Sequence, residues 1–402
     1  MGGSWSTRVG AISFQRRRYV DLETGESVYL LDQVMGLAPY RRVSEGLAEA
    51  AVFAAVKGPS YRAARDRVRE LAGQPVMSHE GIRQQVLKRG PRVGAEAAGC
   101  GGEGRSERMF VAADGFFAPL QGGGQQEVKM AVVHRGWAVR QPRREKSDFR
   151  LVGARHFSTL GGAEELGRRV RRFLAAVCTG RALVVACGDQ AGWIRVLVRC
   201  LDRVIYQVDR FHVARAVAEA FRHLPDLWRA ARRALGAGDV AGLSQAVACG
   251  LSQTPPGPQR ERLAALAQTV AREGESMVDY RVRLRKAGHK VPSQWRGLGV
   301  AESHIKRYKA RIGGRSWSIP GLSALLPLLD SLFDGTLATR LTGLAAELEA
   351  EPEPRRGLAA GQVPEVVGRG RLGVRQAHFP ALDGSMKGLA PLFRDISHPQ
   401  AL

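Results

Sequence analysis

The sequence predicts a mixed α/β fold, in which helices cover a sheet of hairpin-joined and parallel strands. The chain has 402 residues, of which 44% are hydrophobic and 25% charged. This is the composition of a globular protein that is long enough for several domains. Between residues 108 and 222, short apolar runs follow one another and then alternate with stretches of helical periodicity. Residues 223–298 are helical in periodicity and poor in strand-forming runs.

The central part of the chain gives the order of the elements. The predicted strands are RMFVAAD (108–114), EVKMAVVHRGWAV (127–139), FRLVGARHF (149–157), ALVVAC (182–187) and RVIYQV (203–208). Helices are predicted over residues 162–178, after Ala191 and from Phe211 onward. Three hairpin-joined strands followed by alternating helices and strands indicate a mixed sheet flanked by helices. The order β-β-β-α-β-α-β-α is that of the ribonuclease H-like fold, a fold-level analogy that does not define a function.

The N-terminal part is predicted to be mainly helical. Alternating apolar and polar residues on both sides of ETGES predict a β-hairpin within residues 10–30. Helical spacing over residues 44–57 and 60–72 is followed by Ser78, a suitable N-cap for a helix that reaches about Lys88. Two short helices around a glycine-containing turn, with basic side chains, favour a helix-turn-helix that binds DNA.

Composition places the domain boundaries. The predicted divisions are the N-terminal hairpin and helix-turn-helix region (1–90), a Gly-rich linker (91–107), the first part of a ribonuclease H-like core (108–222), an all-helical insertion (223–298), the remainder of the core (299–345) and a loose C-terminal tail (346–402). Glycines mark the linker, and the segments EPEPRRG and GRGRLG mark the tail.

The charge of the chain indicates its partner. The formal net charge is +23, because 61 Lys and Arg outnumber 38 Asp and Glu. Such an excess favours a polyanion, for which we expect double-stranded DNA, and an Arg-rich coding bias is the alternative explanation. The basic residues are spread along the chain and form no single block, which argues against binding to a membrane surface.

Nothing in the sequence predicts export or disulfide chemistry. No apolar run of about 18 residues occurs, and the N-terminus lacks the apolar region of a signal peptide, so we expect a cytoplasmic protein. The five cysteines form no CxxC pair. They are therefore expected to be reduced and to form neither a disulfide framework nor a zinc cluster.

Two aspartates follow apolar runs that are predicted to be strands. Asp114 ends FVAAD and Asp189 ends LVVACGD. In the predicted sheet these strands are adjacent, so the two carboxylates converge where ligands commonly bind, beyond the strand ends. Neighbouring carboxylates repel each other unless a divalent cation or a shared proton offsets the charge, and oxygen ligands suit Mg²⁺ or Mn²⁺. A turn is the alternative explanation of either aspartate alone.

Glu302 is the candidate third carboxylate. It lies in GVAESHIKRYK and opens a predicted helix whose next turns carry Lys306, Arg307 and Lys309, a face suited to phosphates. Taken alone, Glu302 is explained equally well as an acid that complements the helix dipole.

Four segments occur in a set order along the chain. They are FVAADGFF, ACGDQAGWI, QVDRFHVARA and GVAESHIKRYKARIGGRSWSIPG. Together they resemble the ISLre-type bacterial insertion-sequence transposases, which are relatives of the Mutator-like transposases. The upstream segments GAISFQRRRYVDLETGESVYLLDQVMGL and SYRAARDRVRELAG also resemble that family. The similarity runs over most of residues 8–320.

The resemblance implies a DDE recombinase. Its catalytic and metal-binding triad would be Asp114, Asp189 and Glu302, with two Mg²⁺ or Mn²⁺ ions. Such an enzyme cuts at the ends of an insertion sequence and transfers the strands into target DNA, and we expect it to act as a homo-oligomer on DNA. Two departures are visible. Gln190 stands where a glycine is expected after the second aspartate, and more sequence is expected ahead of residue 8, which suggests an N-terminal truncation.

Asp209 and His212, in YQVDRFH, form a second candidate pair. Taken alone, they fit a metal site, a general acid with its partner, or two polar residues that open a helix. A spacing of three places both side chains on one helix face. Related transposases carry a Cys- or Asp-x-x-His pair here, which implies an accessory pair that holds DNA or orients the triad. A separate zinc centre lacks two ligands, and a helix-capping aspartate beside a hydrogen-bonded histidine is the alternative.

The remaining candidate residues would contact DNA. The predicted DNA-binding side chains are Arg62, Arg65, Arg83, Lys88, Lys306, Arg307, Lys309, Arg311 and Trp317. Trp317 lies among glycines and arginines, which also suits a flipped base. Two further functions fit the same residues: a structure-specific nuclease of the same fold, and a catalytically inactive or regulatory DNA-binding relic.

Overall fold

The computed structural model of the protein describes residues 2–20, 25, 27–34, 42–96, 105–141 and 148–350. The strands are β1 (Gly2–Thr7), β2 (Gly10–Gln15), β3 (Tyr19–Val20), β4 (Ser27–Val28), β5 (Ser106–Pro119), β6 (Gln125–His134), β7 (Trp137–Gln141), β8 (Asp148–Leu151), β9 (Arg155–Thr159), β10 (Cys178–Gly188) and β11 (Val204–Val208). The helices are α1 (Leu30–Val34), α2 (Glu45–Lys57), α3 (Tyr61–Ala72), α4 (His79–Glu96), α5 (Ala163–Val177), α6 (Gly192–Arg199), α7 (Arg210–Ala220), α8 (Pro225–Ala237), α9 (Val240–Gln253), α10 (Pro258–Glu273), α11 (Tyr280–Lys286), α12 (Val300–Ile312), α13 (Ile319–Phe333) and α14 (Leu337–Ala350). A 3-10 turn covers Gly274–Met277.

A five-stranded mixed sheet lies at the centre of the fold. Its strand order is β11-β10-β5-β6-β9. β10 pairs in parallel with both β5 and β11, whereas β5, β6 and β9 are antiparallel neighbours. The predicted mixed sheet with flanking helices is therefore confirmed. In the part of the chain from β5 to α7, the predicted element order is found with one addition.

The addition is a two-stranded ribbon, β7 and β8, between β6 and β9. The sequence predicts one strand over 127–139 and another over 149–157, but β6 ends at His134 and β9 begins at Arg155. Gly136 (φ +131°) and Gly153 (φ +59°) turn the chain out of the sheet and back. Both φ values are readily adopted only by glycine. The prediction of two long strands is wrong because the apolar pattern of the sequence continues across these two turns.

The N-terminal hairpin also differs from its prediction. β2 pairs with β1 rather than with the far side of ETGES. Around ETGES, only the two-residue strands β3 and β4 pair, and residues 21–24 and 26 lie outside the described part of the chain. The alternating pattern predicted strands correctly but not their partners, because period-two alternation carries no information about which strand lies alongside.

Helices cover both faces of the sheet. On one face, α5 and α6 pack against alternate residues of β5, β6 and β10. That cluster includes Met109, Val111, Ala131, Val184, Leu166, Val170, Ile194 and Leu197. On the other face, the helices come from both ends of the described chain. That cluster includes Leu47 and Val52 (α2), Ile82 and Val86 (α4), Phe116, Met130, Tyr308, Leu325 and Leu341. The N-terminal helices and the sheet thus share one apolar core.

Helix α4 is longer than its sequence predicts. It continues through Gly90 and Pro91 to Glu96, rather than ending near Lys88. At Gly90 it crosses α13 so closely that a Cβ would lie 2.0 Å from the carbonyl oxygen of Ala324. Packing against α13 therefore overrides the weak helix propensity of the glycine. Residues 91–96 of the predicted linker are helical, and residues 97–104 lie outside the described part of the chain.

Residues 223–298, all of them described, contain helices and no strand. Together with α7, the helices α8, α9 and α10 pack around a separate apolar cluster. That cluster includes Val213, Phe221, Leu243, Val247 and Leu263. After α10, the last part of this range returns to the sheet, where Tyr280 and Trp295 pack on Phe110. The predicted loose tail begins at residue 346, but residues 346–350 belong to α14. Residues 351–402 lie outside the described part of the chain, so the rest of the predicted tail stays a prediction.

Candidate active site

Three aspartates lie in one row across the parallel strands. Gly188 of β10 pairs with Ala113 of β5 on one side and with Val208 of β11 on the other. The next residue of each strand is an aspartate. These are Asp114, Asp189 and Asp209. Each aspartate thus directly follows a residue of the paired set Ala113, Gly188 and Val208. Asp189 and Asp209 both act electrostatically on Asp114. The catalytic role that the sequence predicts for Asp114 and Asp189 stays a prediction.

The sequence suggests that Asp114 ends its strand, and this expectation is wrong. β5 continues to Pro119, paired with β6 beyond the point where β10 ends. The strand continues because Phe116 and Ala118 are buried in the core. The Asp114 Oδ1 atom accepts a hydrogen bond of 2.7 Å from the backbone N–H of Gly115. Asp114 is therefore held on a rigid strand and not in a turn.

The turn after β10 fixes Asp189. A Cβ on Gly188 would lie 2.7 Å from Ile194 Cγ2 and 2.9 Å from the Ala113 carbonyl oxygen, so this position requires glycine. The Asp189 Oδ1 atom accepts a 2.9 Å hydrogen bond from the backbone N–H of Ala191. Tyr206 Oη donates to the Asp189 carbonyl oxygen at 2.7 Å. The side chain and the backbone of Asp189 are thus both held.

The pKa of the Asp114 carboxyl is raised from 3.8 to about 6. Burial is the main cause, and the negative charges of Asp189 and Asp209 add to it, while the Gly115 N–H and His212 act in the opposite sense. A half-buried carboxylate among like charges disfavours its own ionisation. A bound cation would reverse that effect.

Asp209 and His212 open helix α7. The Asp209 Oδ1 atom caps the helix by accepting a 2.8 Å hydrogen bond from the Phe211 N–H. The backbone N–H of Asp209 donates to the Gly188 carbonyl oxygen at 2.7 Å, which continues the β10–β11 ladder. The His212 side chain is exposed and acts electrostatically on Asp114. Asp209 therefore caps α7 and also belongs to the aspartate row, and His212 lies next to that row.

Glu302 lies in the first turn of α12, where its side chain is 57% exposed and pairs with Lys306 Nζ at 3.3 Å. Within the described ranges, no group of three or more His, Cys, Asp or Glu side chains is arranged to hold a metal ion. In this arrangement Glu302 therefore does not complete a set of three ligands with Asp114 and Asp189.

A buried polar network anchors the later turns of α12. Tyr308 Oη donates to Asp330 of α13 at 2.6 Å, and Asp330 also accepts from the hydroxyl of Ser158 on β9 at 2.6 Å. His304 Nδ1 lies 2.7 Å from His156 Nε2, and His156 Nδ1 lies 2.7 Å from Asp334. Burial lowers the pKa of His304 to about 3, so its ring is neutral at pH 7.

The sequence does not predict this network. His156 has no metal-ligand spacing to a neighbouring histidine, cysteine or carboxylate that would single it out. The partners are separated by 148 and 178 residues in sequence, so no local spacing could have joined them. The tertiary fold brings these side chains together, and no sequence motif marks them.

The predicted DNA-binding residues fall into three groups. Five have exposed side chains: Arg62, Lys88, Lys306, Arg307 and Lys309. Arg65 and Arg83 are half-buried and pair with acidic neighbours, Arg65 with Asp66 and Arg83 with Glu80. Arg307 also lies over the Phe333 ring, at 4.1 Å from its centroid.

The third group, Arg311 and Trp317, lies inside the core, contrary to the expectation of DNA contact. Arg311 is 5% exposed, and its Nε donates to the Ala55 carbonyl oxygen at 3.0 Å. Its guanidinium lies 5.1 Å from the centroid of the Trp317 ring. Trp317 is 6% exposed, and its indole N–H donates to the Ile312 carbonyl oxygen at 2.9 Å. Both side chains join α12 to the N-terminal helices and are inaccessible to a phosphate or a base.

The fold and the site define an α/β protein with three aspartates that directly follow paired residues of its parallel strands. The sequence profile of the Uncharacterised protein family (UPF0236) matches residues 4–342, and the chain belongs to that family. No helix within the described ranges has the length and apolar character needed to span a membrane.

Relatives in Caldanaerobacter subterraneus subsp. tengcongensis share this family. The UPF0236 proteins TTE0402 and TTE2489 are each 21% identical over 343 residues, or 80% of this chain. The chain spans only 62% and 66% of their lengths. A third relative from that organism, 21% identical over 346 residues, has a name that joins eleven locus designations. Among solved structures, the Drosophila P element transposase strand transfer complex is similar over 80% of this chain and 85% of that chain, with 11% identity and a TM-score of 0.27.

Proposed function

We propose that this protein is a DNA transposase with a ribonuclease H-like core. It cuts DNA at the ends of an insertion sequence and joins them to target DNA by a DDE mechanism. The observation that carries the proposal is that Asp114 and Asp189 directly follow Ala113 and Gly188, which are paired on the adjacent parallel strands β5 and β10. The strand order β11-β10-β5-β6-β9, with helices on both faces, supports the ribonuclease H-like assignment.

The distribution of charge supports DNA as the partner. The formal net charge is +23. Exposed cations occur on α3 and α4 (Arg62 and Lys88) and on α12 beside Glu302 (Lys306, Arg307 and Lys309). Side chains of this kind position backbone phosphates and carry no base specificity of their own.

The names of the relatives support a mobile element. One relative in a single organism is named for eleven loci. A gene that moves and is copied within a genome would produce such a set, whereas a housekeeping enzyme or a regulator would not need it.

The donor set at the site fits a hard divalent cation. Asp114 and Asp189 each commit one oxygen to a backbone N–H, at 2.7 and 2.9 Å, which leaves the second oxygen of each for a ligand. Carboxylate oxygens are the ligands that Mg²⁺ and Mn²⁺ prefer. Asp114, Asp189 and Glu302 would hold two such ions, which when bound would supply Lewis-acid stabilisation of the attacking and leaving oxygens.

The proposal requires Glu302 to leave its ion pair with Lys306 and join the two aspartates. An exposed ion pair such as Glu302–Lys306 contributes at most about 1 kcal/mol, so breaking it costs little. Gly299, with φ +155°, precedes the helix. The contacts of His304 and Tyr308 hold the later turns of α12. Completing the triad would therefore require the first turn of α12 to reorient, which would also free Lys306 to contact a phosphate.

The reaction has two displacements at phosphorus. In the first, water attacks the phosphate at the element end, the P–O3′ bond breaks, and a free 3′-hydroxyl remains. In the second, that hydroxyl attacks a target phosphate and displaces another 3′ oxygen. Asp114 must be ionised in both steps. His212 favours the ionised form of Asp114, and strand β5 keeps Asp114 in place.

The test is cleavage and strand transfer with DNA that carries the natural flanks of the gene. We expect Mg²⁺-dependent cutting in the wild type and a loss of at least about 10³-fold in Asp114→Asn, Asp189→Asn and Glu302→Gln, because each removes a charged ligand. Glu261→Gln is the matched control, since Glu261 is an exposed acid in the first turn of α10. Wild-type activity in all three variants would refute the proposal, and hydrolysis without strand transfer would indicate a nuclease.

A second candidate is a DNA-binding protein without catalysis. The observation in its favour is that Glu302 pairs with Lys306 and does not join the two aspartates. It predicts salt-sensitive DNA binding that is unchanged in Glu302→Gln, together with no metal-dependent cutting by the wild type.

A further inference from the structure

The residue after Asp189 contacts the helical insertion. Gln190 Oε1 accepts a hydrogen bond of 3.0 Å from Arg272 Nη2. Arg272 lies in the last turn of α10, the third helix of the insertion. A glycine at position 190, as in the transposases that the sequence resembles, could not make this contact.

Glu273, the neighbour of Arg272, is a buried carboxylate that pairs with two partly exposed arginines. Its side chain is 0% exposed and pairs with Arg195 of α6. It also accepts a hydrogen bond of 3.1 Å from Arg272 Nε. A buried carboxylate of this kind is stable only while its cationic partners stay in place. Glu273 therefore fixes the end of α10 relative to α6, the helix that begins three residues after Asp189.

Tyr206 extends these contacts to Asp189 itself. The Arg195 guanidinium lies over the Tyr206 ring, at 5.5 Å from its centroid. Tyr206 Oη donates to the carbonyl oxygen of Asp189 at 2.7 Å. Two lines of contact thus join α10 to the Asp189 turn, one through Gln190 and one through Arg195 and Tyr206.

We propose that Glu273 is a positioning residue, through which the helical insertion sets the Asp189 turn and hence the second carboxylate of the site. The inference rests on the proposed function for its catalytic consequence, although the mechanical coupling does not depend on it. A shift of α10, for example when DNA binds the insertion, moves the carboxylate that the reaction needs.

The experiment compares Glu273→Gln and Tyr206→Phe with the wild-type full chain. Glu275→Gln is the matched control, because the Glu275 side chain is 88% exposed and lies only two residues away. Circular dichroism melts establish that each variant is folded. Hydrogen exchange of the Ala191 amide, which donates to Asp189 Oδ1, reports the turn directly. Mn²⁺ titration, followed by the electron paramagnetic resonance of the free ion, reports the site.

In both test variants we expect the Ala191 amide to exchange about tenfold faster and Mn²⁺ to bind about tenfold more weakly, the effect of losing one or two net hydrogen bonds. Glu275→Gln should change neither. Unchanged Ala191 exchange in folded Glu273→Gln and Tyr206→Phe would overturn the inference. Faster exchange in a protein that neither binds Mn²⁺ nor cuts DNA would support the coupling and overturn the proposed function instead.

Discussion

At the scale of single residues, the surroundings of Asp114 decide what the candidate site can do. The aspartate lies on a continuous strand, directly after the residue that pairs with Gly188, and burial raises its pKa to about 6. A carboxylate whose ionised form is destabilised by burial and like charges gains from a bound cation, because cation binding and deprotonation favour each other. The same property makes the stability of the metal-free protein depend on pH.

Asp114 should make the metal-free protein less stable as the pH rises. Between about pH 4 and pH 6 the folded state keeps a proton that the unfolded state has released, so the free energy of unfolding falls as the pH increases through this window. We expect Asp114→Asn to lack that part of the slope. The measurement is urea unfolding in EDTA at intervals of pH, taking the difference between wild type and variant.

Taking that difference removes the opposite contribution of the buried histidines. Burial lowers the pKa of His134 to about 4 and that of His304 to about 3. These residues cost stability as the pH falls below their unfolded value of about 6.5. They contribute equally to both proteins. Parallel curves for wild type and Asp114→Asn would contradict the prediction.

Local pattern predicts the strands that precede Asp114 and Asp189, although β5 continues past Asp114 to Pro119. It predicts the surroundings of the basic residues less well. Arg311 and Trp317 occupy a motif with an equally basic sequence, yet they are buried. Their burial depends on helices α2 and α3, which are more than 200 residues away in sequence, and no local pattern contains that information.

At the scale of elements, close helix packing overrides local signals. Gly90 and Pro91 suggest a linker, but α4 passes through both because the bare glycine backbone lies against α13. Conversely, the ribbon of β7 and β8 interrupts an apolar run that looks like one continuous strand. In both cases a glycine is decisive, once by allowing close approach and once by adopting a positive φ.

Adding one methyl group should therefore have opposite effects at two helical glycines. In Gly90→Ala the Cβ would lie 2.0 Å from a backbone oxygen of α13, and we expect a loss of about 1–3 kcal/mol from forced separation. In Gly343→Ala, within α14, no atom lies within 4 Å of the new Cβ, and better helix propensity should add about 0.5–1 kcal/mol. Chemical denaturation of both variants is the measurement, and a stabilised Gly90→Ala would disprove the close packing.

At the scale of the whole molecule, charge is the property that the sequence reveals most directly. With a net charge of +23, the 61 Lys and Arg side chains far outnumber the 38 Asp and Glu side chains that could pair with them. Neutralising phosphates releases condensed counterions from DNA, so binding becomes steeply dependent on salt. Arg65 and Arg83 pair with acidic neighbours, so they should contribute less to the salt dependence of DNA binding than an exposed cation such as Lys88.

We expect the affinity for double-stranded DNA to fall by roughly 10³–10⁵ between 50 and 200 mM salt, if 6–10 phosphates are contacted. Lys88→Ala should reduce the slope of log K against log salt by about one. Arg83→Ala should reduce it less, because Arg83 already pairs with Glu80. Fluorescence anisotropy in a salt series measures both, and an unchanged slope in Lys88→Ala would exclude α4 from the interface.

The single apolar core shared by α2, α4, the sheet and α13 has a consequence for how the protein is made and lost. A product that starts after α4 would leave one face of the sheet bare, and an exposed apolar face of that size leads to aggregation or proteolysis. A fragment that ends before β5 would lack the surface on which its helices fold. Neither half can therefore persist alone as a competitor of the full chain. Frameshifts and internal deletions in this gene should therefore remove the whole fold rather than leave one working half.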